Sequence, residues 1–191
     1  VSPKFNSTDE ITVFSVFQLS STWNQWGYVF GHGHRDDNWS FERNSLNNSK
    51  IHFQTNNDNT NVEFEAQFSG PYLMVGRIKN KNDRRLHLYS QASGIQKIDS
   101  YIGGNKINEI APFKLGYSQT GSEYSNATFN EVIYFKGALT DDEIKKITYY
   151  LSKKWGLQNI VDSDGDTIND DIEIANNLNP INTADGSEDT D

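Results

Sequence analysis

The sequence predicts an all-β fold of antiparallel strands, a sandwich or a barrel. Three observations carry that reading. Short runs of apolar or alternating residues recur at roughly ten-residue intervals, and breaks rich in Asn, Asp, Gly and Ser separate them. The 24 aromatics (11 Phe, 9 Tyr and 4 Trp) give the body a packing mass that a disordered chain lacks. Only one segment has a clear helical period. A length of 191 residues suits one good-sized domain, or one domain with a small appendage. Such a chain can bury about 70% of its unfolded surface.

The strands follow in order. Ile11–Leu19 (ITVFSVFQL) is apolar or β-branched at nearly every position, as in a strand covered on both faces. Tyr28–Phe30 is apolar and ends at Gly31-His32-Gly33. Trp39–Glu42, Lys50–Gln54 and Val62–Phe68 alternate; in the last, Val62, Phe64, Ala66 and Phe68 share a face. Tyr72–Ile78 follows a Gly-Pro turn signal, and Arg84–Tyr89 follows the polar break Lys79–Asp83. Phe113–Gly116 and Phe129–Phe135 complete the set. A helix is then expected over 140–155. Thr140 and Glu143 form a capping box, and Asp141 and Asp142 suit the positive end of the helix dipole, as Lys153 and Lys154 suit the negative end. Ile144, Ile147, Leu151 and Trp155 make one apolar stripe, and Gly156 is the natural stop. Such a helix is expected to lie across one sheet edge or face.

Composition excludes several classes. With no Cys there are no disulfides, zinc thiolates or thiol nucleophiles. Mean hydropathy is −0.73 and no run approaches 18 apolar residues, so no membrane span is expected. The formal charge of −9 is uneven: residues 162–191 hold eight Asp and two Glu without Lys or Arg, so residues 1–161 carry 16 acids against 17 bases, a net +1. A near-neutral body without a basic stripe does not suit nucleic acid. Val1 is not an initiator Met and no leader pattern precedes the body, so the chain is expected to be a segment of something longer.

The segment Glu131-Val-Ile-Tyr-Phe135, Ala138-Leu139-Thr140, Glu143-Ile144, Tyr150-Leu151 and Lys154-Trp155-Gly156-Leu157 resembles the closing strand and terminal helix of bacterial laminin-G-like domains. Phe14–Leu19 and Tyr28–Gly31 resemble strands of the same family, which belongs to the concanavalin A-like jelly-roll sandwiches. The resemblance covers about 1–158. It implies a jelly-roll sandwich and a role in glycan or surface binding, and it implies no reaction.

The string after it, Asp162-Ser-Asp164-Gly-Asp166-Thr-Ile168-Asn-Asp170-Asp-Ile-Glu173, places acids at loop positions 1, 3, 5, 9 and 12, and Ile168 can offer its backbone carbonyl at position 7. Ca²⁺ takes six to eight oxygens at about 2.3–2.6 Å, and this spacing can supply them from one turn-rich loop. An EF-hand has Gly at position 6, where this chain has Thr167. The segment resembles instead a thrombospondin type 3 repeat, with Ile174–Pro180 as its short turn. Asp185, Asp189 and Asp191 look like the start of a second unit. The competing reading is a plain acidic linker. The division expected is therefore a sandwich over 1–158 and a calcium-binding repeat over 159–191, with Ca²⁺ on Asp162, Asp164, Asp166, Ile168, Asp170, Glu173, Asp189 and Asp191. Chelation is expected to loosen 160–191 and to leave the sandwich's melting largely unchanged.

Trp23, Trp26, His32, His34, Arg35, Asp36 and Asn38 crowd one stretch with Tyr28 and Trp39. Aromatic faces stack on sugar rings and the polar groups hydrogen-bond hydroxyls, so these residues are the expected glycan site. The alternative is that Tyr28 and Trp39 are core and the rest an ordinary turn. His32, His34 and Asp36 could also hold a transition metal. Glu63 and Glu65 share a strand face as a glycosidase pair might, but alternation explains them as solvent-facing.

The function expected is non-catalytic: a lectin-like recognition or adhesion module, outside the cell, in a larger secreted or surface protein. Its partner would be a glycan or another cell-surface component, with further calcium-binding repeats in the same parent. A purely structural spacer is the alternative from another class, and a polysaccharide-degrading enzyme is the third. Millimolar extracellular calcium, which fills even weak sites, is the argument for the location.

Overall fold

The computed structural model describes residues 4–5, 10–20, 27–32, 39–45, 48–55, 62–65, 70–80, 83–90, 95–102, 111–117 and 124–188. Eleven strands are present among them. They are β1 (Lys4–Phe5), β2 (Ile11–Leu19), β3 (Tyr28–His32), β4 (Trp39–Ser45), β5 (Asn48–Thr55), β6 (Val62–Glu65), β7 (Pro71–Lys79), β8 (Asp83–Ser90), β9 (Ile95–Ile102), β10 (Ala111–Leu115) and β11 (Ala127–Lys136). Two helices follow, α1 (Asp141–Trp155) and α2 (Asp170–Ala175), then a 3-10 turn over Asp185–Glu188.

The strands form two antiparallel sheets, ordered β1-β10-β3-β4-β5-β6 and β11-β2-β7-β8-β9. This is an all-β sandwich, one of the two forms expected from the alternating runs, and the jelly roll that the resemblance implied. Nine strands fall where those runs lie, within a few residues, and β1 and β9 are additional. Every ladder between named strands is antiparallel; β2 sits between β11 and β7 with Val13 opposite Tyr134 and Gly76. Rings fill the space between the sheets: Phe17 stacks on Tyr72 at 5.3 Å and Phe30 on Phe41 at 5.3 Å, with Trp39 edge-on to Phe53 at 6.1 Å. Gly76 lets the sheets approach closely in that layer: a Cβ there would lie 3.2 Å from the Phe53 ring of the opposite sheet, a tight contact.

β2 is buried at eight of nine positions, and its two faces serve two layers. Val13 and Phe17 join the layer between the sheets. Phe14 and Val16 face outward, where Leu73, Val75, Tyr89, Ile144, Leu151, Leu157 and Val161 form a second apolar layer. The helix thus lies on the outer face of the five-stranded sheet. Its capping box is present: Glu143 N–H donates to Thr140 Oγ1 (3.3 Å) and Thr140 N–H to Glu143 Oε2 (2.8 Å). Gly156 ends it at φ 64°, a left-handed stop that suits glycine. Arg77 and Arg85 clamp its first turn by donating to Asp141, each at 2.8 Å. Glu131 of β11 holds its last turn by accepting from Lys154 (2.9 Å) and Trp155 Nε1 (2.7 Å).

The outer layer runs on past the border expected at 158/159. Leu157 and Val161 are both buried in it, on either side of that border. The acidic segment therefore starts from a packed anchor on the sandwich and not from a free linker.

Candidate metal centre

The acidic segment winds itself into a tight loop by using aspartates as backbone acceptors, as Asp side chains do in turns. Asp162 accepts from the N–H groups of Gly165 (2.6 Å) and Thr167 (2.8 Å). Asp164 Oδ1 accepts from Asp166 N–H (3.2 Å), and Asp166 Oδ1 from Ile168 N–H (2.9 Å). Gly165 and Thr167 take left-handed φ values of 83° and 86° so that the chain can turn at each step. The path then enters α2, which carries Glu173 on its first turns, and leaves through Asn179-Pro180, where Asn179 N–H donates to Asp185 Oδ2 (3.0 Å).

These turns bring four carboxylates together. Asp164, Asp166, Glu173 and Asp185 each place one oxygen so that all four lie within 4.8 Å of one another. Two oxygens on opposite sides of a calcium ion stand about 5 Å apart, so the spread fits one hard cation. Asp164 Oδ2, Asp166 Oδ2, both Glu173 oxygens and Asp185 Oδ1 are buried with no hydrogen-bond partner among the described residues. A buried carboxylate oxygen without a partner is costly, and five of them converge here. Burial, then the carboxylates of Asp164, Asp166, Asp170 and Asp162, push Glu173 up to about 8. Burial and the Asp166 and Asp162 carboxylates push Asp164 up to about 6. An all-oxygen donor set with no imidazole or thiolate suits Ca²⁺ or another hard cation more than zinc or copper.

Of the ligands expected from spacing, the structure brings Asp164, Asp166 and Glu173 into the cluster. Asp162 turns to the loop's own N–H groups. Asp170 turns away to serines: it accepts from Ser163 N–H (2.8 Å), Ser163 Oγ (2.9 Å) and Ser152 Oγ of α1 (2.5 Å). Burial pushes its carboxyl up to about 6. Ile168 donates its N–H to Asp166. Asp189 and Asp191 lie outside the described residues. Asp185, expected at the start of a second unit, folds back to join Asp164, Asp166 and Glu173. The 3-10 turn that carries it seats Gly186 against Asp166 Oδ2, where a Cβ would collide.

The expected glycan residues fare differently. Trp23, Trp26, His34, Arg35, Asp36 and Asn38 lie outside the described residues. His32 is a correction to that set: it is 1% exposed, between Trp39 (5.3 Å) and Tyr134 (5.5 Å), with both rings stacked on it. Burial pushes it down to about 4, so at neutral pH it is an uncharged core ring, out of reach of a surface sugar. Tyr28 and Trp39 are core, as the alternative reading held. For Glu63 and Glu65 only the backbone of β6 is described.

No family model matches this chain, and no curated protein matches it. Solved structures do. A Ruminococcus gnavus IT-sialidase CBM40 aligns with a TM-score of 0.56 at 11% identity, over 77% of this chain and 92% of that one. A Trypanosoma rangeli sialidase mutant with trans-sialidase activity aligns with a TM-score of 0.55 at 12% identity, over 80% of this chain and 28% of that one. The binding domain of botulinum neurotoxin serotype D aligns with a TM-score of 0.54 at 11% identity, over 78% and 37%. This chain therefore spans between about a quarter and two fifths of the sialidase and toxin chains. At these identities the likeness is one of fold alone.

Proposed function

We propose that this chain is a non-catalytic, calcium-loaded recognition module for glycans, part of a larger secreted or surface protein. The observation that carries the calcium half is the convergence of five buried, unpartnered carboxylate oxygens from Asp164, Asp166, Glu173 and Asp185. A divalent ion neutralises half of their formal charge of −4 and supplies each oxygen with a partner; the Ile168 carbonyl and water would complete the shell. Filled, the segment becomes a stiff continuation of the sandwich toward further repeats of the parent chain. The sandwich fold, shared with a CBM40 module, supports the glycan half. Extracellular calcium would keep the site loaded, which supports a location outside the cell.

The test has two arms. Calcium is titrated calorimetrically into the chelator-treated chain; saturable uptake near one ion per chain is expected, and no uptake at millimolar calcium ends the reading. The loaded chain is then applied to a glycan array, and Trp23→Ala, Trp26→Ala and Asp36→Ala check these residues as the contact. A blank array with intact calcium uptake leaves the structural-spacer alternative. Release of reducing ends from a polysaccharide would favour the enzyme alternative.

A further inference from the structure

A cavity of about 270 Å³ opens between the first turn of α1, β8 and the acidic loop; Arg85, His87, Asp142, Lys145, Asp164 and Thr183 are among its lining residues. Its charges cancel in pairs. Arg85 is spent on Asp141 at 2.8 Å, Lys145 faces the same space as Asp142, and Asp164 belongs to the carboxylate cluster. Neither an anion nor a cation finds an excess of opposite charge once the cluster holds its ion. What the walls hold is a mix of donors (the guanidinium, and the Lys145 ammonium, which donates to Thr183 Oγ1 at 2.6 Å) and acceptors (carboxylates). His87 adds a ring that is 8% exposed and whose Nε2 has no hydrogen-bond partner among the described residues. Burial and the neighbouring Arg85 push it down to about 4, so it is neutral at pH 7. Tyr89 and Ile144 also line the space, and its walls are about as apolar as they are polar.

We propose that this cavity binds one neutral hexose ring, the end residue of a glycan, and does so only when the neighbouring carboxylate cluster holds calcium. The proposal rests on the glycan reading above and gives it a place. Pockets for drug-sized ligands run to about 300–1,000 Å³, so this one suits a single ring and not a chain of rings. Hydroxyls donate and accept at once, which matches a wall of mixed polarity without net charge. Calcium dependence follows from shared parts: Ser163, Asp164 and Gly165 form one wall of the cavity, and Asp164 is also a member of the cluster. Without the ion, repulsion among the carboxylates shifts that wall.

The test is saturation-transfer NMR on the full chain in excess calcium, with glucose, galactose, mannose and fucose as separate probes. Transfer to at least one sugar is expected, and its loss on adding chelator. Thr183→Trp, which fills the mouth, and Lys145→Ala, which removes a donor, should each weaken that sugar at least tenfold. Calorimetric calcium uptake by the same variants shows that they are folded. Sugar binding that survives both substitutions overturns the cavity and leaves glycan recognition standing at another place. No transfer to any of the four sugars in a calcium-loaded chain also overturns the cavity. A blank glycan array beside it removes the glycan reading as well, with the calcium site intact.

Discussion

Ser152 Oγ donates to Asp170 Oδ2 across 2.5 Å, joining the last turn of α1 to the first residue of α2. Both side chains are fully buried. Asp170 also takes two bonds from Ser163, so a carboxylate at the ninth position of the loop ties the loop to the sandwich. Ser152→Ala removes one of three bonds to a buried carboxylate. A loss of about 1–3 kcal/mol is expected, the usual range for such a bond. Urea unfolding followed by tryptophan fluorescence checks it, and an unchanged midpoint would show that the loop is not anchored there.

Chelation should lower the melting temperature of the whole chain in a single transition. This departs from the expectation of a tail that loosens alone, because Leu157 and Val161 are buried with Phe14 and Leu73 of the sheet. An ion present at a hundred times its dissociation constant stabilises the folded state by about 2.7 kcal/mol. Scanning calorimetry with and without chelator decides the matter. Two separated transitions would support the border at 158/159.

The metal-free chain should lose stability as pH rises. Glu173 and Asp164 have folded-state values of about 8 and about 6, above their ordinary values of 4.5 and 3.8. The folded state therefore holds protons that the unfolded state gives up first. Their contribution is full below the unfolded values and is lost through the folded ones. Melting should fall between about pH 4 and about pH 8 without calcium, and this slope should flatten in millimolar calcium. Calcium uptake at pH 6 should release protons, seen as a buffer-dependent heat.

Gly186→Ala should weaken calcium binding about tenfold or more, since the added Cβ collides with Asp166 Oδ2 and must displace it from the cluster. Calorimetric titration beside Asp185→Asn is the check. If Asp185→Asn binds as tightly as the unmodified chain, the return of the 3-10 turn to the cluster is not part of the ion's shell.

Much of the fold was legible because its signals are local. The apolar residues of β2 announce two covered faces, and the structure supplies a layer for each. The capping box and Gly156 mark the ends of α1 within one residue. β9 was missed because Ile95, Ile98 and Tyr101 stand three apart, a spacing that does not alternate. β1, with two residues, is too short for any period. The misreading of His32 has the opposite cause. Glycines on either side suggest a loop, yet Phe30 and His32 stand two apart on one face of β3, opposite Leu115 and Phe113 of β10, and that spacing was present in the sequence. Asp185 could not be assigned from spacing, because its distance from Glu173 is set by the turn through Asn179 and Pro180 and not by a loop of fixed length.

The reach of Asp185 back to Asp164 has a mechanical meaning. An ion held between them clasps a stretch of 21 residues (185 minus 164), so a pull on the C-terminal side loads the ion before it loads the strands. Opening the clasp would release up to about 70 Å of extended chain. For a tethered surface protein, calcium would then set both how far the module extends and the force at which it yields.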